Sequence, residues 1–275
     1  MDDRKPLALV TGASSGIGYE LAKQFAENGY DLLLTAEDGE LHLAGDEIRA
    51  YGARVEVVQI DLAEPDGVER LHAAISALGQ PVAAAALNAG VGKGGPFIET
   101  ELADEIRLID LNVTSTVRLA KRLLPDMIAR GEGRVLFTSS IAASMPGSFQ
   151  AVYNASKSFV QSFAQALQNE LKDSGLTITS FMPGPTETEF FRRAGMEDTK
   201  IGRQEKDEQD PPGQREGGRP PTDGRAGFCR RGQHRAVTRT SHELTSDVRS
   251  KLIPGRLRRT PRASLAQAAA GSKRS

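Results

Sequence analysis

Short apolar runs alternate with segments of helical periodicity along the first 190 residues of the chain. The apolar runs are rich in Val, Ile and Leu, are bounded by turn residues, and predict strands at 7–11, 31–35, 54–61, 82–88, 133–139 and 177–182. Amphipathic periodicity between them predicts helices at 17–28, 40–51, 66–78, 102–130 and 151–174. Such alternation builds right-handed βαβ units, so we expect the α/β class: one domain with a doubly wound, Rossmann-type parallel sheet.

The pattern stops after about residue 201, where the composition changes. Residues 206–275 contain 13 Arg and 3 Lys against 7 Asp or Glu, a net charge of +9; residues 1–205 then carry −10, because the whole chain has −1. The segment has one aromatic residue, Phe228, and too little apolar surface to offset the entropy of ordering. We therefore expect a folded domain over residues 1–205 and an irregular, basic, disordered tail over residues 206–275.

Two origins of this tail stay open. Its Arg-, Pro-, Gly-, Ala- and Ser-rich composition favours a frame-shifted translation, which would leave the end of the domain incomplete. The alternative is a genuine basic extension that binds nucleic acid or another acidic surface. The tail has no zinc-ligand spacing and no interleaved aromatics, so nucleic acid is not the expected partner.

Cysteine usage and hydrophobic run lengths narrow the class of protein further. Cys229 is the only cysteine, which excludes an internal disulfide and a cysteine-based metal site. No apolar run approaches the 18 or so residues that a membrane span needs. We expect a cytoplasmic protein with no metal and no membrane partner.

A glycine-rich turn follows the first predicted strand and opens the first predicted helix. Its sequence, TGASSGIG over residues 11–18, places three glycines where a backbone turns tightly and phosphate oxygens approach amide groups. The spacing is G-x-x-x-G-x-G rather than G-x-G-x-x-G, and a tight turn without a ligand is the alternative. The residues that would form a phosphate site here are Gly12, Ser14, Ser15, Gly16, Ile17 and Gly18.

Tyr153 and Lys157 stand four residues apart on a predicted helix, so their side chains share one face. An ammonium beside a phenol favours the phenolate and brings its pKa toward a range useful for acid–base catalysis. Ser140 follows the fifth predicted strand, at the sheet edge where α/β proteins bind ligands. A surface Tyr/Lys pair and an ordinary serine turn are the alternatives for each feature taken alone.

Taken together, these motifs resemble the short-chain dehydrogenase/reductase family. TGASSGIG, Asn88-Ala89-Gly90, Ser140 and Tyr153-Asn154-Ala155-Ser156-Lys157 occur in the family's order, and the resemblance covers about residues 6–195. It implies an oxidoreductase that transfers a hydride between a nicotinamide cofactor and a carbonyl or alcohol substrate.

The resemblance also implies roles for individual residues. Tyr153 would be the general acid or base and Ser140 would hydrogen-bond the substrate oxygen. Lys157 would hold the nicotinamide ribose and lower the pKa of Tyr153, and Asn112 would support a water in a proton relay. Residues implied at the cofactor, besides the glycine turn, Tyr153 and Lys157, are Asp61, Leu62, Asn88, Ala89, Gly90, Pro183, Gly184, Thr186 and Thr188.

The choice of cofactor depends on the residues after the second strand. NADP enzymes need a cation for the 2′-phosphate there or in the glycine loop, but Glu37 and Asp38 follow the strand and the loop offers Ser14 and Ser15. An acidic side chain accepts a hydrogen bond from a free 2′-hydroxyl and repels phosphate. We therefore expect an NAD(P) cofactor, with NAD(H) favoured over NADP(H).

The substrate and the assembly are less constrained by the sequence. Met145, Phe149, Phe190 and Phe191 fall at expected pocket positions and favour an apolar carbonyl or alcohol, although core packing explains them equally well. Family precedent implies a homo-oligomer through the helices at 102–130 and 151–174. A nucleotide sensor and a non-catalytic remnant that binds nucleotide are the alternatives to an enzyme, and the joint presence of the four catalytic candidates favours the enzyme.

Overall fold

The fold is a three-layer α/β arrangement around one parallel sheet. The structure, a computed structural model, describes residues 4–184. Its strands are β1 (Leu7–Thr11), β2 (Asp31–Ala36), β3 (Val55–Gln59), β4 (Val82–Leu87), β5 (Gly133–Thr138) and β6 (Leu176–Phe181). Its α-helices are α1 (Gly16–Glu27), α2 (Glu40–Arg49), α3 (Gly67–Ala77), α4 (Leu102–Ile109), α5 (Ser115–Arg130) and α6 (Ala151–Glu170).

The strand order is β3-β2-β1-β4-β5-β6, and every neighbouring pair is parallel. The predicted doubly wound, Rossmann-type sheet is thus confirmed. The order reverses between β1 and β4, and this switch point opens a crevice at the carboxyl ends of the strands. The crevice is where ligand chemistry is expected in such a sheet.

Alternate residues of each strand enter two separate cores, as the period of two requires. On β1, Leu9 packs in the core shared with α3, α5 and α6, whereas Val10 packs in the core shared with α1 and α2. Both side chains are fully buried. Burial on both faces explains why the strands read as continuous apolar runs rather than as an alternating pattern.

The expectation of one continuous helix over residues 102–130 is wrong. A π-helical turn, Asp110–Thr114, separates α4 from α5. Two hydroxyls bond back to carbonyls of this turn: Ser115 Oγ to Leu111 O at 2.5 Å and Thr116 Oγ1 to Asn112 O at 2.9 Å. These bonds satisfy carbonyl groups at the point where the regular α-helical ladder is interrupted.

The other predicted elements match the structure to within a few residues at their ends. The prediction of a basic tail at 206–275, and the domain boundary at 205, lie outside the described residues. Within the described part of the chain, none of the helices combines the length and apolar character needed to cross a bilayer.

Candidate active site

A cleft of about 780 Å³ opens at the carboxyl ends of the strands, at the switch point between β1 and β4. It is lined by most of the residues that the sequence predicts for a dinucleotide site and a catalytic centre. Those lining residues are Gly12, Ser14, Ser15, Gly16, Ile17, Glu37, Asp61, Leu62, Asn88, Ala89, Gly90, Ser140, Tyr153, Lys157, Pro183 and Gly184. Gly18 and Asn112 stand behind this lining, and Thr186, Thr188, Phe190 and Phe191 lie outside the described residues.

The glycine turn forms the floor of the cleft between β1 and α1. Gly12 has φ +65°, and a Cβ built on Gly18 would lie 1.9 Å from Gly12 O, so neither position accepts a side chain without rearrangement. Ser15 precedes α1 in an extended conformation and makes no side-chain cap to it. The first amides of α1 are therefore not capped by the Ser15 side chain, as in helix N-termini that bind anionic groups.

A network of hydrogen bonds fixes the turn to the centre of the sheet. Thr11 Oγ1 accepts hydrogen bonds from the backbone amides of Asn88 and Ala89, each at 2.9 Å. The Asn88 side chain donates to Thr11 O at 3.2 Å and accepts from Thr138 Oγ1 at 3.0 Å. Three strand ends are thus joined through one asparagine, and the sequence analysis had not singled out Thr11 or Thr138. Both threonines stand at the last position of an apolar strand, and this position was the sequence feature that could have indicated their role.

Tyr153 and Ser140 meet in the cleft. Ser140 begins the short 3-10 turn after β5, where its Oγ accepts a hydrogen bond from Ala142 N at 3.1 Å. Burial raises the pKa of the Tyr153 phenol, and a side-chain hydrogen bond with Ser140 acts in the opposite direction. The pair places a phenol and an aliphatic hydroxyl side by side at the sheet edge.

Burial keeps the pKa of Tyr153 above its ordinary value, so the expected net fall of that pKa is wrong for this geometry, despite the neighbouring Lys157. Its ammonium lies 6.0 Å from the centroid of the Tyr153 ring and donates instead to Thr138 O at 3.0 Å. Complete burial lowers the pKa of Lys157 itself to about 8. The phenol is therefore mainly protonated at neutral pH, which suits a general acid, and the lysine titrates close to neutrality.

Asn112 occupies the π turn directly behind the cleft. Its side-chain amide exchanges two hydrogen bonds with the backbone of Val91, from Val91 N to Oδ1 and from Nδ2 to Val91 O, both at 2.9 Å. Nδ2 also donates to Ser156 Oγ at 3.0 Å. A Cβ on Gly90 would lie 3.1 Å from Asn112 Oδ1 and 3.2 Å from Lys157 Nζ, so Gly90 is the spacer that lets these groups approach.

Acidic side chains surround the far end of the cleft. Ser14 Oγ donates to Asp38 Oδ2 at 2.9 Å, which links the glycine turn to the residues after β2. Glu37 and Asp61 both line the cleft, and both are paired with Arg107 of α4. Sequence reasoning missed Arg107, because nothing local to residue 107 indicates that α4 brings it to the ends of β2 and β3.

The opposite end of the cleft has an apolar rim. Met145 lines it with 63% of its surface exposed, and Phe149, in the same loop, is 61% exposed. Phe149 is the one non-glycine residue with positive φ in the described chain, and its carbonyl accepts a hydrogen bond from Gly95 N at 2.9 Å. The 146–150 loop is thereby held against the segment that follows β4.

Comparison with known proteins gives consistent matches. The family model for short chain dehydrogenase matches residues 6–198. The chain is 32% identical over 189 residues to the uncharacterized oxidoreductase YmfI of Bacillus subtilis, covering 68% of this chain and 77% of that protein. It is 31% identical over 183 residues to a very-long-chain 3-oxoacyl-CoA reductase of Anas platyrhynchos, covering 64% of this chain and 58% of that reductase. The chain thus spans less than two thirds of the length of some curated relatives.

Solved structures give the same result. A short-chain dehydrogenase from Sphingobium yanoikuyae in complex with NADPH superimposes with a TM-score of 0.66 at 34% identity, over 70% of this chain and 75% of that one. These matches confirm the family resemblance inferred from the motifs. They also confirm the broad prediction of a nicotinamide-dependent oxidoreductase.

Proposed function

The chain belongs to the short chain dehydrogenase family, and we propose that it interconverts a small-molecule carbonyl and the corresponding alcohol, with Tyr153 as the general acid or base. The observation that carries this proposal is the hydrogen-bonded pair of Tyr153 and Ser140 in the same cleft as the glycine turn. A nucleotide sensor would need the turn but not the phenol. The bound nicotinamide supplies the hydride in reduction and accepts it in oxidation.

Tyr153 and Ser140 act on the substrate oxygen. In reduction, the protonated phenol of Tyr153 donates its proton to the oxygen as negative charge develops there. The Ser140 hydroxyl donates a second hydrogen bond to the same oxygen and so polarises the carbonyl. In oxidation the phenolate removes the alcohol proton.

Lys157 and Asn112 support these two groups. The Lys157 ammonium binds the ribose hydroxyls, and its positive charge then stabilises the phenolate that proton donation leaves behind. Asn112 is a positioning residue: it ties the segment after β4 to Ser156 on α6 and holds the groups around the proton relay in place.

The acidic groups at the far end of the cleft support NAD(H) over NADP(H). Glu37, Asp38 and Asp61 all line that end. A carboxylate accepts from the 2′-hydroxyl of NAD(H), whereas three carboxylates oppose a 2′-phosphate. The structural neighbour from Sphingobium yanoikuyae contains NADPH, so this preference is a property we assign to this chain and not to the family.

The exposed rim at Met145 and Phe149 supports a substrate with an apolar part.

Exposed apolar side chains also follow one face of α4, with Leu102 72%, Ile106 47% and Ile109 37% exposed. We assign this face to contact with a second copy of the chain, as expected for a homo-oligomer in the cytoplasm. We assign the catalytic domain to residues 1–205, before the basic segment 206–275.

A substrate screen with both cofactors tests the proposal. The purified full chain is mixed with NADH or NADPH and a panel of aldehydes and of aliphatic and aromatic ketones, and loss of absorbance at the nicotinamide band is followed. Cofactor binding is measured in parallel by fluorescence. We expect turnover of at least one carbonyl, with a higher kcat/KM for NADH than for NADPH. Cofactor binding without turnover of any panel member would contradict the catalytic proposal. A strong preference for NADPH would contradict the preference for NAD(H).

A further inference from the structure

Arg107 reaches from α4 to the ends of two strands. Its Nη1 lies 2.7 Å from Asp61 Oδ2, after β3, and its Nη2 pairs with Glu37 Oε2, after β2. Both partners line the cleft, whereas Arg107 stands behind them and is not itself part of the lining. The three side chains are between 22% and 46% exposed, so solvent and ligands have access to the group.

The arrangement supplies a cation where the sequence appeared to have none. A guanidinium presents paired N–H groups that match the oxygens of a carboxylate or a phosphate equally well. Here one terminal nitrogen of the guanidinium donates to Asp61 and the other donates to Glu37. Glu37 therefore occupies a donor that a phosphate group would otherwise engage, and its own charge opposes a phosphate at the same place.

We propose that Arg107 is a masked 2′-phosphate cation, and that Glu37 determines cofactor choice by occupying it. The inference rests on the proposed function, since it assigns the far end of the cleft to the adenosine ribose. It goes beyond that assignment because it attributes selectivity to a pair of residues from two elements rather than to the acidic charge after β2 alone.

The two explanations differ in a double-mutant cycle. If charge repulsion by Glu37 were the whole effect, Glu37→Gln would improve binding of a 2′-phosphate whether or not Arg107 is present. If Arg107 is the masked cation, Glu37→Gln improves binding more when Arg107 is present than when it is absent. The non-additivity of the two changes measures the role of Arg107.

Equilibrium binding of adenosine 2′,5′-bisphosphate and of 5′-AMP, measured by calorimetry, is the experiment. The proteins are the full-length wild type, Glu37→Gln, Arg107→Gln, and the double variant. Arg118→Gln is the matched control, because Arg118 is also half-exposed and paired with a glutamate, Glu69, away from the cleft. Melting curves establish that each variant is folded.

We expect Glu37→Gln to tighten binding of the bisphosphate by about tenfold or more relative to 5′-AMP, the range of a charge-assisted hydrogen bond. The double variant should lose most of that gain, and Arg118→Gln should bind both nucleotides like the wild type. An equal gain in the double variant, or no gain in Glu37→Gln, would overturn the role of Arg107.

Failure of the proposed preference for NAD(H) gives a different result from failure of the role of Arg107. A wild type that binds the bisphosphate more tightly than 5′-AMP would refute the preference for NAD(H), yet the cycle would still decide whether Arg107 and Glu37 are coupled. Absence of binding of either nucleotide to every variant would refute the ribose assignment and the role of Arg107 together.

Discussion

The Lys157 ammonium donates a 3.0 Å hydrogen bond to the carbonyl oxygen of Thr138, which ties α6 to the last residue of β5. Ser139 Oγ adds a second link between the same segments by donating to Lys157 O at 2.9 Å. The helix that presents Tyr153 is thus fixed to the strand end that presents Ser140. These two bonds between α6 and the end of β5 hold the Tyr153 phenol close to Ser140.

Burial of this ammonium makes stability depend on pH. The pKa of Lys157 falls from 10.5 to about 8 on folding, so between these values the unfolded chain binds more protons. The free energy of unfolding therefore rises with pH in this window, by up to about 1.4 kcal/mol per unit. Urea unfolding of the wild type and of Lys157→Met at several pH values measures this pH dependence of the free energy of unfolding. A difference between the two proteins that stays constant from pH 8 to 10.5 would contradict the burial.

Substitution by valine is expected to affect stability differently at Thr11 and at Thr35, which pair on neighbouring strands. Thr11 pairs with Thr35, and both are buried, but Thr11 Oγ1 accepts two amide hydrogen bonds whereas Thr35 Oγ1 has no partner within residues 4–184. Thr11→Val should lower the free energy of unfolding by about 2 kcal/mol or more, because two amides lose their acceptor. Thr35→Val should be neutral or stabilising. Similar effects of the two changes in chemical denaturation would argue against the network at Asn88.

Asn112 offers a test of the π turn. Asn112→Ala leaves both polar backbone groups of Val91 without their side-chain partner. The free energy of unfolding should fall by about 1–3 kcal/mol, and kcat should fall with it. Thr114→Ala is the control in the same turn, because its hydroxyl is exposed and reaches Asp110 only at 3.4 Å. Equal stability of the two variants would mean that the asparagine is not a structural tie.

The glycine turn predicts a sharp contrast between two glycines. A methyl group on Gly18 would lie 1.9 Å from Gly12 O, whereas Gly39 has nothing within 4 Å of the same position. Gly18→Ala should weaken dinucleotide binding by at least about tenfold and lower the melting temperature, since the turn must shift away from α1. Gly39→Ala should leave both unchanged. Retained affinity in Gly18→Ala would show that the turn does not bind the cofactor.

Much of this architecture was predictable because burial on both sheet faces leaves a clear mark in sequence. The runs at β1 and β4 contain no charged residue, and the glycines after β1 mark the turn that the fold requires. Most of the candidate site residues line one cleft, as expected, because each stands at a strand end or on one helix face, where local spacing predicts placement.

The features that were missed depend on contacts between distant segments. The π turn interrupts a stretch whose periodicity is continuous, and it is associated with hydrogen bonds between Asn112 and Val91, 21 positions earlier. Arg107 reads as an ordinary helix cation, although it meets Glu37 from 70 positions away. The pKa of Tyr153 was expected to fall because of Lys157, but the direction is set by burial, which spacing on a helix does not reveal.

Tyr153→Phe is the most direct test of the catalytic assignment. Phenylalanine keeps the ring that is 93% buried beside Ser140 and removes only the hydroxyl. Tyr51→Phe, on the surface after α2, is the control. With a carbonyl substrate from the screen, kcat of Tyr153→Phe should fall by about 10²- to 10⁴-fold while the Kd of the cofactor changes by less than about threefold. Turnover equal to that of the wild type would contradict the assignment of Tyr153 as the acid–base group.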